Sequence, residues 1–400
     1  MSKDLADQPK LVLAFSGGLD TSYCVRYLSE QGYQVHSVVV NTGGFSPEEL
    51  QEIADKADML KVTEHQTIDE THNFYQKCLR FLIYGNVLRN NTYPLSVSAE
   101  RVFQALAIVE YAKSIDAEYI AHGSTGAGND QVRFDLIFSI LAPEIKIITP
   151  IRDQRLSRQQ EVAYLQEKGI DVNWEKAKYS INKGLWGTSV GGEETLTSHQ
   201  SLPEEAYPSQ LQEKESKHIK LKFEKGELKG VDQDTYDDPV KAILRVQELA
   251  AAYAIGRDIH VGDTIIGIKG RVGFEAAAPL IIIKAHHLLE KHTLAKWQQY
   301  WKDQLANWYG MMLHEGQYLD PVMRDMEAFL ESSQERVDGT VEVKLMPYRF
   351  ELVGIKSEYD LMASKYGQYG EMNLAWSGED VKGFTKIMAN QNKIYYSFDE

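Results

Sequence analysis

The sequence predicts an α/β protein: an N-terminal doubly wound parallel sheet, then a second α+β part and a C-terminal helix. In the first 170 residues, short apolar runs such as KLVLAF and YQVHSVVV alternate with helix-like stretches, which is typical of βαβ units. The chain has 400 residues with 43% hydrophobic and 25% charged side chains, which fits a globular protein of two domains. Both the rhythm and the composition therefore favour a buried parallel sheet of about five strands.

The elements of the first part follow in order along the chain. The predicted strands are KLVLAF, YQVHSVVV, DMLKVTEH (residues 58–65), AEYIAHGS and IKIITPI. Helices are expected near residues 21–31 and 47–57, over 100–114, and before Ala142. Parallel strands joined in this way should have right-handed crossovers.

Past residue 169 the alternation ends, and the polar segment 191–216 is interpreted as a long linker. Hairpins are predicted to turn at residues 225–226 and near 346–348. Between them the patterns indicate a helix near 239–254, a strand over 264–270 and a long helix from about 285 to 309. The predicted domains are 1–170, 171–378 and a terminal helix at 379–400, which needs another subunit or its own domain to cover its apolar positions.

Composition excludes several classes of protein. The net charge of −15 argues against a general nucleic-acid surface. The apolar runs are shorter than the roughly 20 residues of a membrane span, so no membrane contact and a cytoplasmic location are expected. Cys24 and Cys78 form no CxxC pair and are interpreted as buried apolar residues.

The strongest local signal is LVLAFSGGLDTS at residues 11–22, where an apolar strand runs into a Ser-Gly-Gly loop and then a helix. Gly17 and Gly18 let the backbone approach an anion closely. Ser16, Thr21 and Ser22 supply hydroxyl groups, and the first amides of the helix point towards the loop. These features predict a pyrophosphate-binding loop.

The loop differs from a Walker A motif because no lysine precedes its last hydroxyl residue. SGGxDxS resembles instead the motif of the ATP-pyrophosphatase superfamily, in which ATP is cut between its α and β phosphates. Asp20 is the residue expected to contact Mg²⁺, since a hard cation on phosphates prefers carboxylate oxygens.

A second motif, AHGSTGAGNDQVRF, begins at Ala121 after another apolar run. Its side chains Thr125, Asn129, Asp130 and Arg133 suit the carboxylate and ammonium groups of an amino acid. Loops at the carboxyl edge of a parallel sheet line one crevice, so the two motifs should face a shared pocket.

With these two motifs about 100 residues apart, the chain resembles the argininosuccinate synthase family. The resemblance continues through LAPEIKIITPIRD, YSINKGLWG and GIKGRVGFE, and so covers most of the chain. It implies an adenine nucleotide alpha hydrolase-like fold, a synthetase and multimerisation domain, and a homotetramer held partly by the C-terminal helix.

The resemblance also implies roles for individual residues. The catalytic residues would be Asp20, Arg133 and Asp130. ATP would bind at Ala14, Phe15, Ser16, Gly17, Gly18, Leu19, Asp20, Thr21, Ser22, Val40 and Gly123. Aspartate would bind at Thr125, Asn129 and Asp130. Citrulline would bind at Tyr93, Ser98, Asn129, Arg133, Ser180 and Ser189, with Arg101 also aligned to the family string YLLGTSxAR.

The chain departs from the family pattern at three positions. Ala127 stands where the family has a lysine, and Lys183 or Lys269 is expected to substitute. Gly262 and Phe274 stand where the family has a glutamate and a tyrosine that contact citrulline. Either Asp263 or Glu275 replaces the lost acid, or the substrate is an N-acylated citrulline whose amino group carries no charge.

The implied reaction joins citrulline to aspartate through a citrullyl-adenylate, consuming ATP and releasing AMP and pyrophosphate in arginine biosynthesis. Three alternatives stay open at this point. They are the same chemistry on an N-acylated citrulline, a tRNA-thiolating enzyme of the same superfamily, and a nucleotide-binding protein without turnover. Thiolation would need a reactive cysteine near the loop, where Cys24 lies.

Overall fold

The computed structural model describes residues 8–170, 178–367, 369–371 and 375–398. The predicted start of the second domain at residue 171 lies outside this described part. The fold class predicted from the sequence is confirmed: a five-stranded parallel sheet is followed by helices and two antiparallel sheets.

The parallel sheet contains five strands in the order β3-β2-β1-β4-β5. They are β1 Lys10–Ala14, β2 Gln34–Asn41, β3 Glu64–Asp69, β4 Tyr119–His122 and β5 Lys146–Ile148. All four pairings are parallel. The order reverses direction between β1 and β4, so the loops after these two strands meet at the switch point where ligands bind in open α/β sheets.

Helices cover both faces of the sheet. They are α1 Leu19–Glu30, α2 Pro47–Met59, α3 Thr71–Phe74, α4 Arg80–Tyr84, α5 Ser96–Ser114, α6 Asp130–Leu141, α7 Pro150–Gln154 and α8 Arg158–Glu167. Alternate residues of β1 point to opposite faces, so Leu11 and Leu13 pack with α1 and α2 while Val12 packs with α5 and α6. This two-sided burial explains the continuous apolar runs in the sequence.

One predicted strand of this part is wrong in its first half. Residues 58–63 were expected to be extended, but α2 continues to Met59 and the chain then turns at Lys61, whose φ is +60°. The strand starts only at Glu64. The helical region around α3 and α4, with a π-helical turn at Tyr75–Leu79 between them, was not predicted. Its side chains are buried on several sides, so it lacks a clear amphipathic period.

The second part contains two antiparallel sheets. The strands are β6 Ser180–Asn182, β7 Thr188–Gly191, β8 Lys217–Glu224, β9 Glu227–Val231, β10 Asp234–Thr235, β11 Arg257–Asp263, β12 Lys269–Glu275, β13 Gly339–Met346 and β14 Arg349–Lys356. Their orders are β10-β9-β8-β13-β14 and β11-β12-β7-β6. Both predicted hairpins are confirmed, at β8–β9 and β13–β14, and the segment 191–216 is irregular apart from short 3-10 turns.

Two predictions in this part are wrong. Residues 264–268 form the turn between β11 and β12 rather than a strand, and only the last two residues of the predicted run, Lys269 and Gly270, are extended. The Thr264 side chain accepts the amide of Ile268, and Gly267 has a φ of +83°. The long helix expected over 285–309 is two helices, α10 Ala277–Thr293 and α11 Lys296–His314. They are separated at Leu294, whose φ and ψ of −94° and 142° are extended.

Four further helices are described: α9 Pro239–Ala251, α12 Pro321–Ser333 and the C-terminal pair α13 Gly378–Met388 with α14 Asn390–Tyr396. The C-terminal pair has no buried residue among those described. Its apolar side chains, including Phe384, Ile387 and Tyr395, are exposed. Among the described residues, no helix is both long enough and apolar enough to cross a bilayer.

A buried polar network connects the helices of the second part. Lys302 of α11 donates to Glu290 of α10 at 2.7 Å and to the carbonyl oxygen of Tyr84 at 3.2 Å. The second carboxylate oxygen of Glu290 accepts from Gln334 at 2.9 Å. His286 contacts both Gln334 and Asn86. Lys302, Glu290 and His286 are fully buried, so bulk water does not solvate the charges of this ion pair.

Candidate active site

The phosphate loop lies between β1 and α1. Gly17 has a φ of +70°, which an L side chain rarely adopts, and Gly18 is the residue that caps α1. The hydroxyl oxygens of Ser16 and Thr21 are 3.3 Å apart, and Thr21 donates to the carbonyl oxygen of Gly18 at 3.2 Å. Gly18 caps the helix without a side chain, so the first amides of α1 are left for a ligand.

The loop after β4 approaches the phosphate loop closely. A Cβ atom on Gly123 would lie 3.2 Å from the Thr21 methyl group, so the approach depends on this glycine. The His122 ring stabilises this loop with two hydrogen bonds. One joins it to Asp135 at 2.9 Å, and in the other it accepts from the amide of Ser124 at 3.2 Å. This contact brings the two motifs of the sequence together at one edge of the sheet.

A larger cavity of about 740 Å³ opens at this edge. Its lining includes nine of the predicted ATP residues: Ala14, Phe15, Ser16, Gly18, Leu19, Asp20, Thr21, Val40 and Gly123. Two predicted residues do not line it. The Cβ position of Gly17 faces Ile53 of α2, and Ser22 is fully buried. Ser180, predicted to bind citrulline, lines this larger cavity.

A smaller cavity of about 270 Å³ lies next to it, and Arg101, Asp130 and Asn182 line both. The predicted amino-acid residues at its wall are Tyr93, Ser98, Asn129, Asp130, Arg133 and Ser189. Thr125 is exposed and lines neither cavity. Ser16 and Asp130 therefore open onto one continuous cleft, as the sequence predicts for two convergent loops.

Asp130 is the charged centre where the cavities meet. One of its carboxylate oxygens accepts from Arg101 and the other from Arg133, each at 2.9 Å. Burial opposes the charge on Asp130, but the two guanidinium groups outweigh it and hold its pKa below the usual value. Arg133 also donates twice to the carbonyl oxygen of His314, at 3.0 and 2.9 Å. These bonds set the guanidinium groups in fixed positions before any substrate binds.

The structure shows what surrounds Gly262 and Phe274, two of the positions that depart from the family pattern. A Cβ atom on Gly262 would lie 2.5 Å from Nε2 of His260, so the histidine ring occupies the space of a side chain there. Phe274 is buried behind Tyr93, with ring centroids 5.4 Å apart. Of the two candidate replacement acids, Asp263 lines the smaller cavity, while Glu275 is bonded to Arg257 and lines neither.

The two candidate replacement cations also differ. Lys183 lines the larger cavity and pairs with Glu49 at 2.9 Å. Lys269 pairs with Asp263 at 2.6 Å and lines neither cavity. Of the two candidate cations, only Lys183 therefore lies at the cleft.

Several residues of the cleft were not predicted from the sequence. In the larger cavity they are Thr42, Glu100, Gln104 and Arg158, and in the smaller one they are His260, Arg271 and His314. Burial and Arg133 lower the pKa of His314 to about 3, so its ring is neutral. Glu100 could have been found from the sequence, since it is a charged residue among mainly apolar buried residues of α5.

Cys24 is fully buried in α1, and burial raises the pKa of its thiol. Such a thiol is protonated and unreactive at neutral pH. This finding removes the one residue that favoured a thiolating enzyme.

A five-stranded parallel sheet with this order, an SGGLDTS loop at its switch point and a polar cleft beside it define a nucleotide-binding α/β protein of the ATP-pyrophosphatase type. Comparison with known families agrees. The family model for the arginosuccinate synthase N-terminal HUP domain matches residues 10–171, and that for the arginosuccinate synthase C-terminal domain matches residues 179–395.

Relatives of similar length match over nearly the whole chain. Argininosuccinate synthase of Methanocaldococcus jannaschii is 36% identical over 388 residues, which cover 96% of this chain and 97% of the relative. The enzyme of Dictyoglomus turgidum is 36% identical, covering 97% and 98%, and that of Xanthomonas campestris is 34% identical, covering 96% and 98%. The chain belongs to the argininosuccinate synthase family.

This membership confirms the predicted family and the predicted ligase of arginine biosynthesis. The comparisons favour none of the three alternatives, namely an N-acylated substrate, tRNA thiolation and nucleotide binding without turnover.

Proposed function

We propose that the protein joins citrulline to aspartate, with ATP cleaved to AMP and pyrophosphate. The observation that carries this proposal is the continuity of the two cavities at Arg101, Asp130 and Asn182. A phosphate loop and an amino-acid site that share a wall can hold the α phosphate of ATP against a second substrate. A nucleotide sensor would have no use for the smaller cavity.

ATP is proposed to bind in the larger cavity. The amides at the start of α1 and the hydroxyl groups of Ser16 and Thr21 would hold the β and γ phosphates. Main-chain groups around Val40 would contact the adenine. Lys183 lies on the same cavity wall and would add positive charge.

Citrulline is proposed to bind in the smaller cavity and aspartate near the junction of the two. Tyr93, Ser98, Arg133 and Ser189 would orient citrulline, and Asn129 would contact both amino acids. Asp130 is already paired with two arginines, so its proposed role is to hold these guanidinium groups towards the substrate carboxylates.

The reaction then proceeds in two displacements. The ureido oxygen of citrulline attacks the α phosphorus, and the bond to the bridging oxygen breaks, so pyrophosphate leaves into the phosphate loop. The aspartate amine, after losing a proton, attacks the ureido carbon, and the carbon–oxygen bond to AMP breaks. The residues of the cleft act by positioning and by charge stabilisation, with no covalent intermediate on the protein.

Mg²⁺ is proposed to accompany ATP. Asp20 is the cavity-lining carboxylate at the first turn of α1, and carboxylate oxygen is the ligand type that Mg²⁺ takes beside phosphates. When bound, the ion would neutralise charge on the leaving pyrophosphate. Asp20 would hold the ion over the loop.

The function is tested by measuring AMP and pyrophosphate from ATP with the two amino acids added singly and together. We expect AMP, pyrophosphate and argininosuccinate in equal amounts over many turnovers, and turnover only when free citrulline and aspartate are both present. AMP formation only with an N-acylated citrulline would assign a different acceptor. ATP binding without pyrophosphate release under all conditions would contradict the proposal.

The role of Asp20 is tested with Asp20→Asn, which removes the charge without changing the size of the side chain. We expect the Mg²⁺ concentration for half-maximal activity to rise about tenfold or more. Direct titration with Mn²⁺ in the presence of ATP gives a readout independent of turnover. Asp116→Asn is the control, because Asp116 is an exposed residue that lines neither cavity. An unchanged metal requirement in Asp20→Asn would exclude this role.

A homotetramer in the cytoplasm is proposed for the assembled enzyme. The exposed apolar side chains of α13 and α14 support an association between subunits. The net charge of −15 and the short apolar runs support the location.

A further inference from the structure

Glu100 is a buried acid in the wall of the larger cavity. It lies on α5 and is only 2% exposed. Its helix neighbours Ala99, Val102 and Phe103 are apolar core residues. Among the described residues, its Oε1 atom has no hydrogen-bond partner. Burying a carboxyl group costs free energy unless neighbouring groups form hydrogen bonds to it. None of the roles assigned above involves Glu100.

The carboxyl group of Glu100 lies between two segments that are far apart in sequence. The Thr42 hydroxyl, after β2, and the Leu185 amide, before β7, are both close enough to stabilise it. Oε1 faces the backbone of Gly184, where an added Cβ atom would lie only 1.9 Å away. The carboxyl group thus fills the space that a side chain at position 184 would need.

The same two segments are in close contact with each other. A Cβ atom on Gly44 would lie 2.7 Å from the carbonyl oxygen of Lys183, and one on Gly43 would lie 3.0 Å from the Leu185 side chain. Thr42, Gly44 and Lys183 all line the larger cavity. Glu100 therefore lies behind the junction that forms one wall of the proposed nucleotide site.

We propose that Glu100 is a positioning residue for ATP, which joins the Thr42–Gly44 loop to the Lys183–Leu185 segment and makes nucleotide binding depend on its protonation state. This inference rests on the proposed function of the larger cavity. Glu100 acts through the wall segments and through Lys183 rather than through a contact with the reacting atoms.

The charge of Glu100 follows from its surroundings. Burial raises the pKa of Glu100 to about 8, while neighbouring Arg101 acts to lower it. Charged residues that line the same cavity include Asp20, Asp130 and Arg158, and also Lys183 and Glu49, which pair with each other. At pH 7 the carboxyl group is mainly neutral and does not repel the phosphates of ATP. Above pH 8 it becomes an anion in the wall of a polyphosphate site, so ATP should bind more weakly.

The packing part of the proposal is tested with Glu100→Ala, Gly184→Ala and the double variant. Each single change should disturb the packing of the wall and raise KM for ATP about tenfold. A tenfold change in KM corresponds to about 1.4 kcal/mol of binding free energy. We expect kcat to change less than about threefold. In the double variant the new methyl group enters the space left by Glu100, so its KM should be no higher than that of Glu100→Ala alone. Additive effects, or a loss in kcat with KM unchanged, would overturn the proposal.

The protonation part is tested by calorimetric titration of ATP without amino acids from pH 7 to 9.5. A tenfold rise corresponds to a pKa of Glu100 that is one unit higher in the complex, so the dissociation constant of the wild-type protein should rise between about pH 8 and about pH 9. Glu100→Gln keeps the size of the side chain and cannot lose a proton, so this rise should be absent. Glu110→Gln, an exposed acid on the same helix, is the matched control and should behave as wild type. The same rise in Glu100→Gln would refute the proposal.

Failure of the proposed function would give a different result. If the larger cavity does not bind ATP, the wild-type protein itself shows no heat of ATP binding and no AMP formation. If only the role of Glu100 is wrong, the wild-type protein binds and cleaves ATP, and the Glu100 variants match it in KM and in pH dependence.

Discussion

Replacing Asp130 with asparagine is expected to lower kcat/KM for both amino acids by about 10²- to 10³-fold. Asp130 holds Arg101 and Arg133 with one carboxylate oxygen each, where the two cavities meet. Without its charge, two enclosed guanidinium groups repel each other and lose their fixed positions. The Asp130 side chain is 39% exposed, so the expected loss comes from misplaced guanidinium groups rather than from a buried unpaired charge. Misplacing groups that position a substrate costs about 10²-fold or more in rate.

The measurement is steady-state kinetics with each amino acid varied in turn. Asp153→Asn is the matched control, since Asp153 pairs with Arg152 at 3.6 Å but lines neither cavity. Its kcat/KM should stay within about twofold of wild type. Circular dichroism and the midpoint of thermal unfolding show whether Asp130→Asn is folded. A folded Asp130→Asn protein with more than a tenth of the wild-type kcat/KM would contradict the assigned role.

Replacing Lys302 with methionine is expected to lower the free energy of unfolding by about 3–5 kcal/mol. The ammonium group pairs with Glu290 in a fully buried network, so the variant leaves a carboxylate without a counter-charge. The loss is expected although methionine fills a similar volume. Urea denaturation followed by tryptophan fluorescence measures the change.

Two further variants separate charge from packing in this network. The double variant Lys302→Met with Glu290→Gln removes both charges, and we expect it to recover at least half of the lost stability. Lys291→Met, at an exposed position of α10, should change the free energy of unfolding by about 0.5 kcal/mol or less. A loss below about 1 kcal/mol in Lys302→Met would show that water or rearranged side chains satisfy Glu290.

The comparison of sequence and structure separates local features from long-range ones. The phosphate loop was predictable because a strand, two glycines and a helix start are set by neighbouring residues. Two of the errors come from local features that the apolar pattern does not reveal. Residues 264–268 form a turn closed by the Thr264 side chain and Gly267, and the helical run is divided into two helices at Leu294, which is extended.

The cleft shows the same division. Predicted residues such as Gly17, Ser22 and Thr125 belong to the motifs but do not line the cavities, because a motif does not say which way each side chain points. Glu100 and His260 also line the cleft, although no motif assigned them a role. The place of Glu100 depends on Gly184, which is far away in sequence, whereas that of His260 depends on Gly262, two residues along the same strand.

The sequence by itself determined the parallel α/β fold, the phosphate loop and the family, since periodicity and short motifs record the contacts of neighbouring residues. Only the tertiary structure decided that Asp130 is paired with Arg101 and Arg133, that Lys183 rather than Lys269 lines the larger cavity, and that the buried acid Glu100 lies in the wall of that cavity. These features arise where segments far apart in sequence pack against each other, and the close packing that selects each partner exists only in the folded chain.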